Sequence, residues 1–188
     1  MNEDDEARMQ GAGPASPPQP YFDEAPDGRG PIDALLRTLE RDIPDAWTDY
    51  NGHMNEARYL QAFGEATDRV QEIVGCDAGY IAAGNSFFTA ETHIVHLGEA
   101  MAGGRISVET QILAATGPKL HLFHTMFEQE RVLATGEQFL LHVSLATRRP
   151  AVPPPPVSER LTMLARAHEG LPRPRGAGRH VGQKPQRE

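Results

Sequence analysis

Between residues 55 and 74, small and apolar side chains return at steps of three and four. Ala57, Leu60, Phe63, Gly64, Thr67, Val70, Gln71 and Val74 fall on one stripe. That period predicts a single long amphipathic helix. Asn55 suits its N-cap, and Gly75 supplies the residue that can stop it in the left-handed conformation. Downstream the period drops to two. Residues 87–97, 105–115, 119–129 and 132–147 read as strands, with a shorter one at 35–43 ahead of the helix. Ile106, Val108, Thr110 and Ile112 share one face of their run; Leu120, Leu122, His124 and Met126 share another. In the last run Leu133, Phe139, Leu141, Val143 and Leu145 line up together. Alternation over runs this long predicts an antiparallel sheet with one face covered. The expected class is α+β, a long central helix wrapped by a sheet of five or six strands.

Charge and proline divide the chain further. Residues 1–30 hold seven acids, two arginines and Pro14, Pro17, Pro18, Pro20 and Pro26. So few apolar residues cannot offset the entropy of ordering, and a disordered tail is expected there. The folded domain is expected over 31–150. Beyond it, 151–188 should comprise a stiff spacer around the four prolines at 153–156, a short helix at 157–168 and a mobile basic tail. A net charge of −8 argues against a general nucleic-acid surface. The single Cys76 rules out a disulfide framework or a C-x-x-C site. Nothing resembles a membrane span or a secretory leader, so a cytoplasmic protein is expected.

The densest chemistry lies at 47–59, WTDYNGHMNEARY, just before the predicted helix. A helix N-terminus presents unpaired N–H groups and partial positive charge, which suits an anion or a transient oxyanion. Asp49 could serve there as general base or nucleophile, and Gly52 would let the chain turn close to a substrate. The same residues also read as an ordinary cap and turn, and spacing alone leaves both readings open. Eight histidines invite a metal, but His93/His96 and His121/His124 are each three apart on predicted strands and so face opposite ways. No metal and no cofactor are expected.

The segment DYNGHMNEARYLQAF resembles the D-x-x-G-H-x-N-x-x-x-Y signature of hotdog-fold acyl-CoA thioesterases of the 4-hydroxybenzoyl-CoA type. The longer stretches IPDAWTDYNGHMNEARYLQAFGEATD, FFTAETHIVHLGE, KLHLFHTMFEQE and LATGEQFLLHVSLATRRP are similar to the betainyl-CoA thioesterases associated with L-carnitine dehydrogenase. No G-x-G-x-x-G opens an α/β domain here, so a stand-alone thioesterase of carnitine and betaine catabolism is expected. The resemblance implies a hotdog fold and a homodimer or tetramer with acyl-CoA bound between subunits. It implies Asp49 as the catalytic carboxylate and an N–H in the 55–59 stretch as carbonyl donor; His53 and Asn55 join Asp49 as candidate catalytic residues, His53 in either a supporting or a direct role. Many relatives carry a second Asn where this chain has Glu56.

A betainyl group carries a quaternary ammonium, which offers no hydrogen-bond donor and is recognised by aromatic faces and carboxylates. Trp47, Tyr50, Tyr59 and Phe88, with Glu56, Glu65 and Glu91, are the expected substrate-binding residues. Arg148 and Arg149 are expected to meet the charged end of CoA. A non-catalytic acyl-CoA-binding module and a dehydratase or hydratase of the same fold are the alternatives.

Overall fold

A computed structural model describes residues 34–183. The tail expected over 1–30 lies outside these residues. Seven principal elements follow the order β1 (Leu36–Asp42), α1 (Glu56–Val74), β2 (Asn85–His96), β3 (Arg105–Thr116), β4 (Lys119–Glu128), β5 (Arg131–Ser144) and α3 (Val157–His168). Two short elements escape the periodicity, a one-turn helix α2 (Ala78–Ala82) and a two-residue strand β6 (Arg149–Pro150). The sheet is antiparallel throughout, in the order β1-β3-β4-β5-β2, with β6 added to the end of β5.

The ends of α1 obey their local chemistry. The Asn55 side chain accepts from the Ala57 N–H, and Gly75 takes a left-handed φ of 99°. The buried stripe is Tyr59, Ala62, Phe63, Ala66, Thr67, Val70, Ile73 and Val74. It agrees with the sequence reading at Phe63, Thr67, Val70 and Val74; Ala66 and Ile73 take the buried places expected for Gly64 and Gln71, and before Phe63 the stripe shifts as well. Counting back from Phe63, both Leu60 and Tyr59 keep helical spacing, and the fold buries Tyr59 while leaving Leu60 half exposed. β5 also differs from expectation. A bulge at Leu133 shifts its register against β4, and beyond it Ala134, Gly136, Gln138, Leu140 and His142 turn inward. Phe139 and Leu141 therefore face outward, although Leu133 itself is buried.

Against that inner face α1 packs in two apolar halves. One contains Trp47, Met54, Tyr59, Phe63, Ile106, Val108, Met126 and Leu133. The other contains Leu36, Val70, Val74, Ile112, Leu120, Leu122 and Leu140, and α3 joins it through Val157, Leu161 and Leu164. In register between them lies a polar layer. Thr38 Oγ1 is 2.8 Å from Thr110 Oγ1, and Thr110 is 2.7 Å from His124 Nδ1. His124 Nε2 is 3.0 Å from Thr67 Oγ1, which donates to Gln138 Oε1 at 2.6 Å. Since Thr67 spends its only proton on Gln138, the His124 Nε2–H must donate to Thr67, and Nδ1 accepts from Thr110. All five side chains are buried. Phe63 stacks on the His124 ring at 5.6 Å and lies over Gly136, where a Cβ would come within 2.7 Å of its ring. No helix among the described residues is long and apolar enough to cross a membrane.

Burial holds the His124 pKa down at about 3, so the ring is neutral in the folded chain. Its folded value lies below the unfolded value of about 6.5, so the unfolded state gains the proton first as pH falls. Stability from this group is complete above that value and is lost as pH drops toward 3. Burial lowers His142 and His168 in the same direction. We predict that moving from pH 7 to pH 5 costs on the order of 2 kcal/mol through His124 alone, read from urea denaturation at the two values.

Candidate active site

The segment that leads into α1 is a narrow loop whose strands are held by its own backbone. After β1, a 3-10 turn at Asp45–Trp47 redirects the chain. The Asn55 N–H then donates to the Trp47 carbonyl at 2.8 Å, and the Asp49 N–H to the His53 carbonyl at 2.8 Å. Met54 donates to Ala100, which ties the loop to the turn after β2. Gly52 has φ +78°, and a Cβ there would meet nothing nearer than the Met101 methyl at 3.8 Å. Backbone conformation, rather than space, calls for glycine at that position.

Asp49 organises this loop with its side chain. Oδ1 accepts the Asn51 N–H at 2.8 Å and the His53 N–H at 3.2 Å, while Oδ2 has no hydrogen-bond partner among the described residues. The carboxyl is half-buried. At the start of α1, Ala57 donates to the Asn55 side chain at 3.0 Å, and Arg58 donates to the Asn55 carbonyl at 2.9 Å. The Glu56 N–H, first of the helix, has no acceptor among the described residues. An open donor at the positive end of a 19-residue helix thus lies just beyond a loop that its carboxylate holds in shape.

A pocket of about 260 Å³ opens at this junction, lined by His53, Met54, Glu56, Tyr59, His96, Gly98 and Glu99. Tyr59 is buried, its hydroxyl 3.5 Å from the Gly98 carbonyl, and its ring meets His96 edge-on at 4.7 Å. Burial pushes its phenol pKa up, so the ring keeps its proton. His53 Nε2 is 3.7 Å from the Glu99 carboxylate. Two carboxylates, two imidazoles and a phenol surround the space. This suits a cationic group beside a polarised carbonyl. Among the described residues no group of three or more His, Cys, Asp or Glu is arranged to hold a metal ion.

The remaining expected residues lie elsewhere within one chain. Trp47 is buried, and its ring meets the guanidinium of Arg41 at 4.8 Å and of Arg58 at 5.8 Å. Arg41 in turn pairs with Glu65 at 2.8 Å. Tyr50 is at the loop tip, 96% exposed. Phe88 and Glu91 stand exposed on β2, with Arg148 5.8 Å over the Phe88 ring and Arg149 exposed in β6. None of these residues lines the pocket, and neither do Asp49 and Asn55; His53, Glu56 and Tyr59 are the expected residues that do. Glu99 and Gly98 escaped the sequence reading because a Gly-rich turn after a strand looked like a connection only. In the sequence, His96 stands out only as a possible metal ligand.

Comparison with known proteins places this geometry in context. The profile of the thioesterase-like superfamily matches residues 43–161. An L-carnitine dehydrogenase/betainyl-CoA thioesterase of Ruegeria pomeroyi is 60% identical over 143 residues, covering 76% of this chain and 29% of its own length. The chain spans about a third of the curated relatives of this fused kind. A betainyl-CoA thioesterase of Pseudomonas aeruginosa is 40% identical over 156 residues, covering 81% of this chain and 98% of its own. A crystal structure of a candidate thioesterase from Pseudomonas putida KT2440 superposes with TM-score 0.68 at 33% identity, covering 80% of this chain and 98% of its own. A Staphylococcus aureus protein solved with CoA reaches TM-score 0.75 at 22% identity, covering 80% and 96%, and shares the fold.

Replacing Asn55 with Ala removes the acceptor of the Ala57 N–H. We predict a loss of about 1 kcal/mol in stability and faster amide exchange confined to the loop and the first turn of α1, measured by hydrogen exchange.

Proposed function

The chain belongs to the thioesterase-like superfamily, and from that membership we propose that it is an acyl-CoA thioesterase. Its substrate is a small cationic acyl-CoA, with betainyl-CoA named for its relatives, and its products are the free acid and CoA of carnitine and betaine breakdown. The observation that carries this reading is the open Glu56 N–H at the start of α1, adjoining the loop that Asp49 holds together.

In this reading the thioester carbonyl oxygen accepts from the Glu56 N–H. The two N–H groups on Oδ1 aim Oδ2 of Asp49 at the carbonyl carbon. Asp49 then either takes a proton from a water that attacks that carbon, or attacks it directly to give an anhydride that water opens. In both routes the C–S bond breaks and CoA leaves as the thiolate. Sulfur overlaps weakly with the carbonyl, so a base or nucleophile and one oxyanion donor suffice. Asn55 sets the helix end, and His53 closes the loop through its backbone.

Recognition of the cationic acyl group falls to Glu56 and Tyr59, with Glu99 and His96 added by the pocket. The rings and acids outside that pocket, Trp47, Tyr50, Phe88, Glu65 and Glu91, act as second-rank contacts. Tyr50, Phe88 and Glu91 reach the substrate only if a second copy supplies them. β2 pairs with β5 alone and leaves its other edge open among the described residues, which supports a homodimer joined there. Arg148, which stands over the Phe88 ring of β2, and Arg149, exposed in β6, would meet the CoA phosphates. Burial of eight α1 residues supports the hotdog reading, a long central helix with the sheet curled round it. The proposed domain division is 1–30, 31–150 and 151–188, and α3 packs on the middle unit through Val157, Leu161 and Leu164. A cytoplasmic location accords with such a substrate.

Asp49→Asn keeps an oxygen for the Asn51 and His53 N–H groups and removes the charge. It should lower thiol release by about 100-fold or more while leaving acyl-CoA affinity within a few-fold. Asp49→Ala should also loosen the loop. Wild-type chain that binds acyl-CoA yet releases no thiol would favour a non-catalytic binding module. Full activity in Asp49→Asn would remove Asp49 from the chemistry.

A further inference from the structure

On the face of the sheet turned away from α1, the chain after α3 forms a strap. It begins where His168 accepts the Ile112 N–H at 2.9 Å and Gln111 donates to the His168 carbonyl at 3.3 Å. It is pinned again where the Gly178 N–H meets both oxygens of Glu137 at 3.0 and 2.8 Å. Between these anchors it arches over the sheet without filling the space beneath. A pocket of about 530 Å³ remains, walled by Leu35, Leu97, Phe123, Val132, Leu171 and Pro172. That size lies within the range of small-molecule sites. Leu35 and Leu97 are among the few large apolar side chains left exposed, and both stand at this pocket.

The charged groups around it differ in what they already hold. Glu109 lies in the wall but is 3.6 Å from the Arg37 guanidinium. Arg173 and Arg175, from the strap, make no ion pair or hydrogen bond among the described residues. Gln111, Thr125 and Thr135 supply the remaining polar surface. The net effect is an apolar chamber whose wall carries two cations without an ion-pair partner among the described residues, and one acid, Glu109, already paired.

We propose that this pocket is a second ligand site, separate from the loop–helix junction, for an amphiphilic carboxylate: an apolar body against Phe123, Leu97 and Val132, its anion held by Arg173 and Arg175. A guanidinium offers a carboxylate two parallel N–H donors, which makes this pair selective for an anion over a neutral or cationic head group.

The test uses the full chain and three ten-carbon probes, decanoate, decanol and decyltrimethylammonium, with Kd from calorimetry and amide shifts to locate binding. Decanoate should bind at least tenfold tighter than either comparator and shift the amides around Phe123 and Thr135. The exposed double variant Arg173→Ala/Arg175→Ala should erase that preference while keeping the affinity for decanol. Thr135→Trp, which fills the chamber, should abolish binding of all three. Equal affinities for the three heads would overturn the proposal. So would a decanoate Kd untouched by both variants, which would put the ligand elsewhere. A tenfold gain in decanoate affinity on Tyr21→Ala/Phe22→Ala would overturn it too, by showing that the acidic N-terminal segment is the occupant.

Discussion

The seating of α1 on the inner face of the sheet is the contact on which the rest depends. Phe63 can approach only because residue 136 carries no side chain, and it settles on the His124 ring at that point. Around it the Thr38–Thr110–His124–Thr67–Gln138 layer is fully satisfied, with no buried side-chain polar atom lacking a partner among the described residues. Such a layer adds little net stability when complete and costs much when broken. A slip of α1 by one turn would strand several of these groups and drive a ring into backbone. The layer therefore specifies one position of the helix more than it strengthens the core.

That single position determines where the helix begins. The first N–H of α1 comes to the end of the sheet, where Met54 is tied to Ala100 and the loop from Trp47 is closed by Asn55. Asp49 is engaged through one oxygen in shaping the loop, leaving the other directed by that engagement. A carboxylate held this way loses little further freedom when a substrate arrives, which is the advantage of a preorganised group. The pocket lined by His53, Glu56, Tyr59, His96 and Glu99 is acidic and aromatic, in keeping with the proposed cationic acyl group.

Much of this was legible in the residues. Asn55 and Gly75 bounded α1 because caps are local chemistry, and the four long strands announced themselves by alternation. What escaped depended on contacts between distant segments. The choice between Leu60 and Tyr59 is made by Gly98 and His96 across the pocket, which helical spacing cannot see. The inward face of β5 is set by a bulge at Leu133, and one extra residue reverses every side chain after it. Spacing shows Trp47 beside the helix start but not the guanidinium groups of Arg41 and Arg58 that stand against its ring. Glu99 enters the pocket only because the turn after β2 is drawn against the loop. α2 and β6 are too short to carry a period.

The most direct measurement is the release of free thiol by the full-length chain from a panel of acyl-CoA esters matched in size, one bearing a trimethylammonium group and one its neutral isostere. The account predicts turnover, with kcat/KM at least tenfold higher for the cationic ester, about 1.4 kcal/mol of transition-state preference. Tight binding of every ester with no thiol released, or equal rates for the charged and neutral pair, would contradict it.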